Sequence, residues 1–187
     1  MLGGTITTMT VLPRDHPWTV ADLATIPEDG LRYELVDGTL LVSPAPTKLH
    51  QRVVGRLHLL LAADCPPELE VFLAPTDYQP TLTRSLQPDL LVVRRDDPGN
   101  HAVTTPLALA VEVLSPSSRS VDRVLKRELY EQAGVGAYWI VDPDAPSLTA
   151  WVLDRGLFTE VGTVDGDNRL QLTRPFQVLV CPAELIT

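Results

Sequence analysis

Cysteine, aromatic residues and positive charge are all scarce in this sequence, and each shortage closes off a class of protein. Only two cysteines, Cys65 and Cys181, occur in 187 residues, and they form neither a CxxC pair nor a zinc-binding spacing. A disulfide scaffold or structural zinc site is therefore not expected, and a reducing, cytoplasmic compartment fits. Fifteen Lys and Arg stand against 24 Asp and Glu, a formal charge of -9. That balance disfavours broad coating of nucleic acid, whose affinity comes from cations replacing counterions on the phosphates, but it leaves room for a local basic patch. The longest apolar stretches, LHLLLAA and LALAVEVL, fall short of the ~18 consecutive residues a membrane helix needs. The opening MLGGTITTMTVLP lacks the basic and apolar regions of a signal peptide, so secretion is not expected. Aromatics make up 5% of the chain, too few for the stacking platforms of a carbohydrate-processing cleft.

What is present is an ordinary globular composition, 44% hydrophobic and 21% charged, with 17 prolines that imply short elements and firm turns. The length fits one domain over residues 13–187 behind a flexible tail, 1–12. Thr19-Val20-Ala21-Asp22 reads as a capping box opening a short helix that stops before Pro27. LRYELVDG and TLLVSPAP read as two strands joined by the Asp37-Gly38 turn. From Lys48 to Ala63, Leu49, Val53, Val54, Leu57, Leu60 and Leu61 recur at helical spacing. LEVFLAPTDYQP, PDLLVVRR and LALAVEVLS read as three strands. Residues 119–133 repeat Val121, Val124, Leu125 and Leu129 at helical spacing and end at Gly134, a residue favoured just past a helix. GAYWIVDP, SLTAWVL, LFTEVGTV and FQVLV complete the chain as strands. Together these elements predict a mixed α/β sandwich or an α+β layer architecture around one sheet.

One carboxylate interrupts the apolar run LALAVEVLS. In a strand, Ala110, Glu112 and Leu114 share one face while Val111 and Val113 take the other. An ionised carboxylate among apolar neighbours costs several kcal/mol unless it is paired, protonated or bound to a metal. Two readings of Glu112 are open: a wet strand face opposite an arginine, or a functional acid. Asp89, after Pro88 at the mouth of PDLLVVRR, has its own pair of readings, a turn aspartate or a second acid beside Glu112. Two carboxylates on adjacent strands would suit Mg²⁺, which takes few protein ligands, keeps several waters and binds substrate phosphate. Glu34 would be a third acid. Lys126 either orients and stabilises the reacting phosphate from the following helix or forms a surface i, i+4 pair with Asp122.

PDLLVV, LAVEVLSPSS and DRVLKRELYEQAGVGAYWIVDP, taken in order, closely resemble the bacterial restriction-endonuclease-like family, a former domain of unknown function, within the PD-(D/E)XK phosphodiesterase superfamily. The resemblance spans roughly residues 18–155 and is most specific over 111–143. It implies a restriction-endonuclease-like α/β core: a central mixed sheet flanked by helices, with additional strands. It also implies Asp89 and Glu112 as metal ligands together with the Val113 carbonyl, Glu34 as the acid of the N-terminal region, and Mg²⁺, with Mn²⁺ as a substitute, as the cofactor. The superfamily's lysine normally lies two residues beyond the second acid, where this sequence has Leu114; the resemblance assigns the amine to Lys126 instead. His50 resembles a further position near the site, although a lone histidine at a helix start is commonly a surface residue. Tyr130 and Trp139 read as core aromatics, and Asp142 as closing a turn before Pro143.

The expected function is Mg²⁺-dependent hydrolysis of DNA phosphodiesters by Glu34, Asp89, Glu112 and Lys126. The alternative is a catalytically inactive module on the same fold that binds nucleic acid or protein. Arg119, Arg123, Lys126 and Arg127 would supply a local positive rim or an ordinary solvated helix face. A homodimer is expected by analogy with nucleases that pair two sites to cut two strands.

Overall fold

The computed structural model describes residues 10–12, 15–26, 29–115 and 121–187, with side chains at 121–123 left aside. In chain order the elements are strand β1 (Thr10–Leu12), helix α1 (Val20–Leu23), β2 (Arg32–Val36), β3 (Thr39–Ser43), α2 (Lys48–Ala63), β4 (Leu69–Leu73) and β5 (Asp77–Thr81). There follow β6 (Arg84–Leu86), β7 (Leu90–Arg94), β8 (Ala102–Val103), β9 (Leu109–Val113), a π-helical turn (Val121–Lys126) running into α3 (Arg127–Gln132), and β10 (Ala137–Asp142). The chain ends with β11 (Ser147–Asp154), β12 (Leu157–Asp165), β13 (Leu170–Leu172), β14 (Val178–Val180) and α4 (Pro182–Ile186). Among the described residues no helix is long and apolar enough to cross a membrane.

Local chemistry accounts for most of these boundaries. Thr19 caps α1 in a reciprocal capping box with Asp22. Asp37 and Gly38 both take positive φ, 46° and 82°, the geometry of a tight two-residue hairpin turn, and they join β2 to β3. Thr47 accepts the His50 amide at 3.2 Å and so starts α2 at Lys48. Gly134 ends α3 with a φ of 73°.

Two six-stranded sheets carry the chain. The central sheet runs β12, β11, β10, β9, β7, β4; the β9–β10 pair is parallel and all its other neighbours are antiparallel. The N-terminal sheet runs β1, β3, β2, β6, β5, β8, and β13 and β14 form a separate ribbon. One face of the central sheet, with Leu90, Val92, Val111, Val113, Trp139 and Val141, is covered by Val53, Val54, Leu57 and Leu61 of α2. The opposite face, with Leu91, Val93, Ala110, Leu114, Tyr138 and Ile140, packs against Leu129 and Tyr130 of α3 and against Val36, Leu41, Tyr78 and Leu86 of the N-terminal sheet. Alternation along β9 is therefore as expected, with Val111 and Val113 toward α2 and Ala110 and Leu114 toward the second sheet.

Four expectations need correction. Thr10–Leu12 pair with β3 and belong to the sheet, so the flexible tail cannot extend through residue 12; residues 1–9 lie outside the described residues, as does Pro27. LEVFLAPTDYQP is two strands, β4 in the central sheet and β5 in the other, because the chain leaves one ladder at Ala74-Pro75 and joins the second. The architecture thus has two sheets where the spacing suggested one. The predicted helix over 119–133 is a π turn followed by α3; the wider turn rotates Val124 out to 59% exposure and brings Lys126, Leu129 and Tyr130 inward. Residues 116–120 lie outside the described residues.

Candidate active site

The β7–β9 register pairs Leu90 with Val111 and Leu91 with Ala110, and one further step sets Asp89 opposite Glu112. Opposed residues of an antiparallel pair share a face. Both acids therefore look toward the N-terminal sheet, from which β2 returns Glu34. Lys126 closes the fourth side from the π turn. All four side chains are buried: Glu34, Glu112 and Lys126 are each 1% exposed and Asp89 is 3% exposed.

The contacts are direct. The Lys126 ammonium lies 3.0 Å from Glu112 Oε1 and 3.0 Å from Glu34 Oε1. The Tyr130 hydroxyl donates to Glu112 Oε1 at 2.7 Å, and the Gln87 amide donates to Glu34 Oε1 at 2.9 Å. Asp89 Oδ2 accepts from the Val113 amide at 2.8 Å and from His50 Nε2 at 3.1 Å. Asp89 Oδ1 accepts from Arg32 Nη1 at 3.1 Å. The Arg32 Nη2 lies 3.4 Å from Glu34 Oε1 and 3.9 Å from Glu112 Oε2.

These partners decide the charge states. Burial pushes the Asp89 carboxyl up, but the His50 hydrogen bond, the Arg32 and His50 charges and the Val113 amide outweigh it and hold the pKa at about 2. Burial also raises Glu34, and the Arg32 and Lys126 charges with the Gln87 amide bring it below the ordinary value. Tyr130 is driven well above its ordinary value by burial, then by the Glu112 and Glu34 charges, so its hydroxyl stays a donor. An ionised Asp89 can only accept, which makes His50 Nε2 the protonated ring nitrogen.

The bland readings of the sequence fall away on this geometry. Glu112 has no wet face, Asp89 bonds residues 24 and 39 positions away instead of its own turn, and Lys126 is buried against two acids. His50 is 6% exposed and not a surface residue. Trp139 is a core aromatic, and Asp142 accepts the amides of Asp144 and Ala145 in the expected turn. Of the expected rim, Arg127 lies over the Trp151 ring at 5.9 Å; Arg119 lies outside the described residues and the Arg123 side chain is not described. Sequence reasoning missed two participants. Arg32 stands two residues before Glu34, hence on the same strand face, and Tyr130 stands four after Lys126, hence on the same helix face. Those spacings were the available signal.

Among the described residues, no group of three or more His, Cys, Asp or Glu side chains is arranged to hold a metal ion. The donor set that fits Mg²⁺ is smaller: two carboxylates, with waters and substrate completing the shell. Asp89 Oδ1 and Glu112 Oε2 both face the Arg32 guanidinium, so they already flank a cation.

The Uma2 family, described as "Putative restriction endonuclease", matches residues 20–184. The chain belongs to the Uma2 family. A crystal structure of "a putative nuclease belonging to DUF820" from Anabaena variabilis ATCC 29413 is similar to this Uma2 chain at a TM-score of 0.69 and 17% identity, covering 83% of this chain and 89% of that one. Such a likeness speaks to fold, and the fold is the α/β arrangement of mixed sheets with flanking helices that the resemblance implied. No curated protein is similar enough to match. In this Uma2 member the position two residues beyond Glu112 is Leu114, buried in the apolar cluster, and the amine beside Glu112 comes from Lys126.

Proposed function

We propose that this Uma2 protein is a Mg²⁺-dependent endonuclease that hydrolyses DNA phosphodiesters, acting as a single domain that includes β1. The observation that carries the reading is the meeting of Asp89, Glu112 and Glu34 with the Lys126 amine in one buried cluster, within 3.0 Å contacts of that amine for the two glutamates. Asp89 and Glu112 would hold the ion, with Mn²⁺ able to substitute. When bound, the ion polarises the phosphodiester and lowers the pKa of a water.

The protein's own residues prepare the rest. Tyr130 and Lys126 both engage Glu112 Oε1, and Oε2 faces the Arg32 guanidinium that also bonds Asp89. Val113 and His50 together hold Asp89 Oδ2, which orients Oδ1 outward. Lys126 presents a positive charge set in place before reaction, where negative charge develops on the phosphoryl oxygens; Glu34 holds that ammonium from the second sheet. Gln87 positions Glu34 through its backbone amide.

Cleavage of plasmid, linear duplex and single-stranded DNA in Mg²⁺ or Mn²⁺ tests the reading. Glu112→Ala and Lys126→Met should each lower the rate by about 10²-fold or more. Equal rates in parent and both variants would contradict it. The inactive-module alternative draws on Leu114 and on the -9 charge; DNA binding without cleavage in divalent ions, with the carboxylates intact, would establish it instead. We further propose a homodimer in the cytoplasm, since two paired sites cut two strands and both cysteines are free thiols. Light scattering of the purified protein gives the oligomeric state.

A further inference from the structure

Arg32 was absent from the expected site, yet it lies within 4 Å of all three acids, where Lys126 contacts two. Its guanidinium is 3.1 Å from Asp89, 3.4 Å from Glu34 and 3.9 Å from Glu112. The two cations differ in access. Lys126 is sealed in, with 2% of its side chain exposed, whereas Arg32 retains 24%. Of these two cations, Arg32 is the more open to solvent. Arg32 faces Asp89 Oδ1 and Glu112 Oε2, whereas His50 and Val113 bond Asp89 Oδ2 and Lys126 and Tyr130 bond Glu112 Oε1.

We propose that Arg32 is a displaceable counter-cation that holds the seat between Asp89 and Glu112 and must swing outward when a divalent ion binds there. Charge arithmetic supports the exchange. The three carboxylates already draw on two cations, Lys126 and Arg32, so a divalent ion entering between Asp89 and Glu112 would be a further one. With Arg32 also in place, a divalent ion would give the three acids a surplus of cation in a low-dielectric pocket, where like charges repel strongly. The arginine and the ion therefore compete for the same oxygens. Arg32 keeps the acids ionised and folded without metal, at the cost of weaker metal binding.

The inference rests on the nuclease reading only for the identity of the competing ion, and it is read out by binding without DNA. Mn²⁺ is titrated into the full-length parent, Arg32→Ala, Arg32→Gln and Glu112→Ala by calorimetry. Arg32→Ala and Arg32→Gln should bind Mn²⁺ about tenfold more tightly than the parent. Guanidinium ion added in millimolar amounts should weaken Mn²⁺ binding to Arg32→Ala, by refilling the seat, while leaving the parent unchanged. Arg32→Gln keeps a neutral hydrogen-bonding side chain and serves if Arg32→Ala does not fold. Parent-like or weaker Mn²⁺ affinity in the Arg32 variants, with binding still lost in Glu112→Ala, would overturn the exchange and leave the metal site standing. Absence of Mn²⁺ binding in every protein would overturn the metal-dependent reading and the exchange together.

Discussion

Asp89 shows how strongly one side chain is committed to its surroundings. Its carboxyl is held at about 2 against an ordinary 3.8, so the folded state favours the ionised form and the unfolded state takes up the proton first as pH falls. The stabilisation is complete above the ordinary value and is lost as pH falls through about 2. Urea unfolding at a series of acid pH values should show parent stability declining more steeply over that window than the stability of Asp89→Asn. Lys126 carries a different cost. Its removal in Lys126→Met leaves Glu34 and Glu112 buried without the ammonium they share, a loss of about 3 to 5 kcal/mol, and denaturant melts at neutral pH should show it. Acidification should relieve part of that loss, because the freed carboxylates can take protons. Glu112 stood out in the sequence because a carboxylate inside an apolar strand needs a partner, whereas Asp89 was marked by its place after Pro88 at a strand mouth and Glu34 by the family resemblance. Lys126 was ambiguous because it occupies an inward helical position where a periodicity search expects a leucine.

The elements deliver these side chains, and the β2–β3 hairpin does so with little tolerance. Gly38 takes φ of 82°, and a Cβ built there would lie 2.7 Å from Pro17 Cβ. Gly38→Ala should cost about 1 to 3 kcal/mol through backbone strain and that clash, seen as a fall in Tm of roughly 2 to 4 °C per kcal/mol. Because β2 carries both Arg32 and Glu34, cleavage should fall further than the stability change alone requires. Long α2 and the β2–β3 hairpin were readable, since periodicity and the Asp37-Gly38 turn each act locally. The π turn over Val121–Lys126 was not. It sets Lys126 between Glu112 of the central sheet and Glu34 of the second, a tertiary arrangement that 3.6-residue spacing does not encode. Strands β6 and β8, of three and two residues, were too short to show alternation.

At the scale of the whole molecule the acidic balance is the dominant fact. A chain of charge -9 with three ionised or ionisable acids in its site repels phosphate unless cations intervene. DNA affinity should therefore rise when Ca²⁺, a poorer support for hydrolysis, replaces EDTA, and Asp89→Asn should blunt that rise. Among the described residues few cations line the site, so the slope of log affinity against log salt should be shallower than about -4. Fluorescence anisotropy with a labelled duplex measures both. The meeting of the two sheets was the part the sequence concealed: β4 and β5 read as one strand because nothing in LEVFLAPTDYQP announces which ladder each half joins.

The central claim is that Asp89 and Glu112 share one divalent ion beside Lys126. Diffraction from crystals soaked in Mn²⁺, recorded for anomalous signal, tests it most directly. The account predicts a single strong peak between Asp89 Oδ1 and Glu112 Oε2, at about 2.0 to 2.3 Å from each, with the Arg32 guanidinium moved off both. A peak elsewhere, or saturating Mn²⁺ with Arg32 still bonded to Asp89, would contradict it.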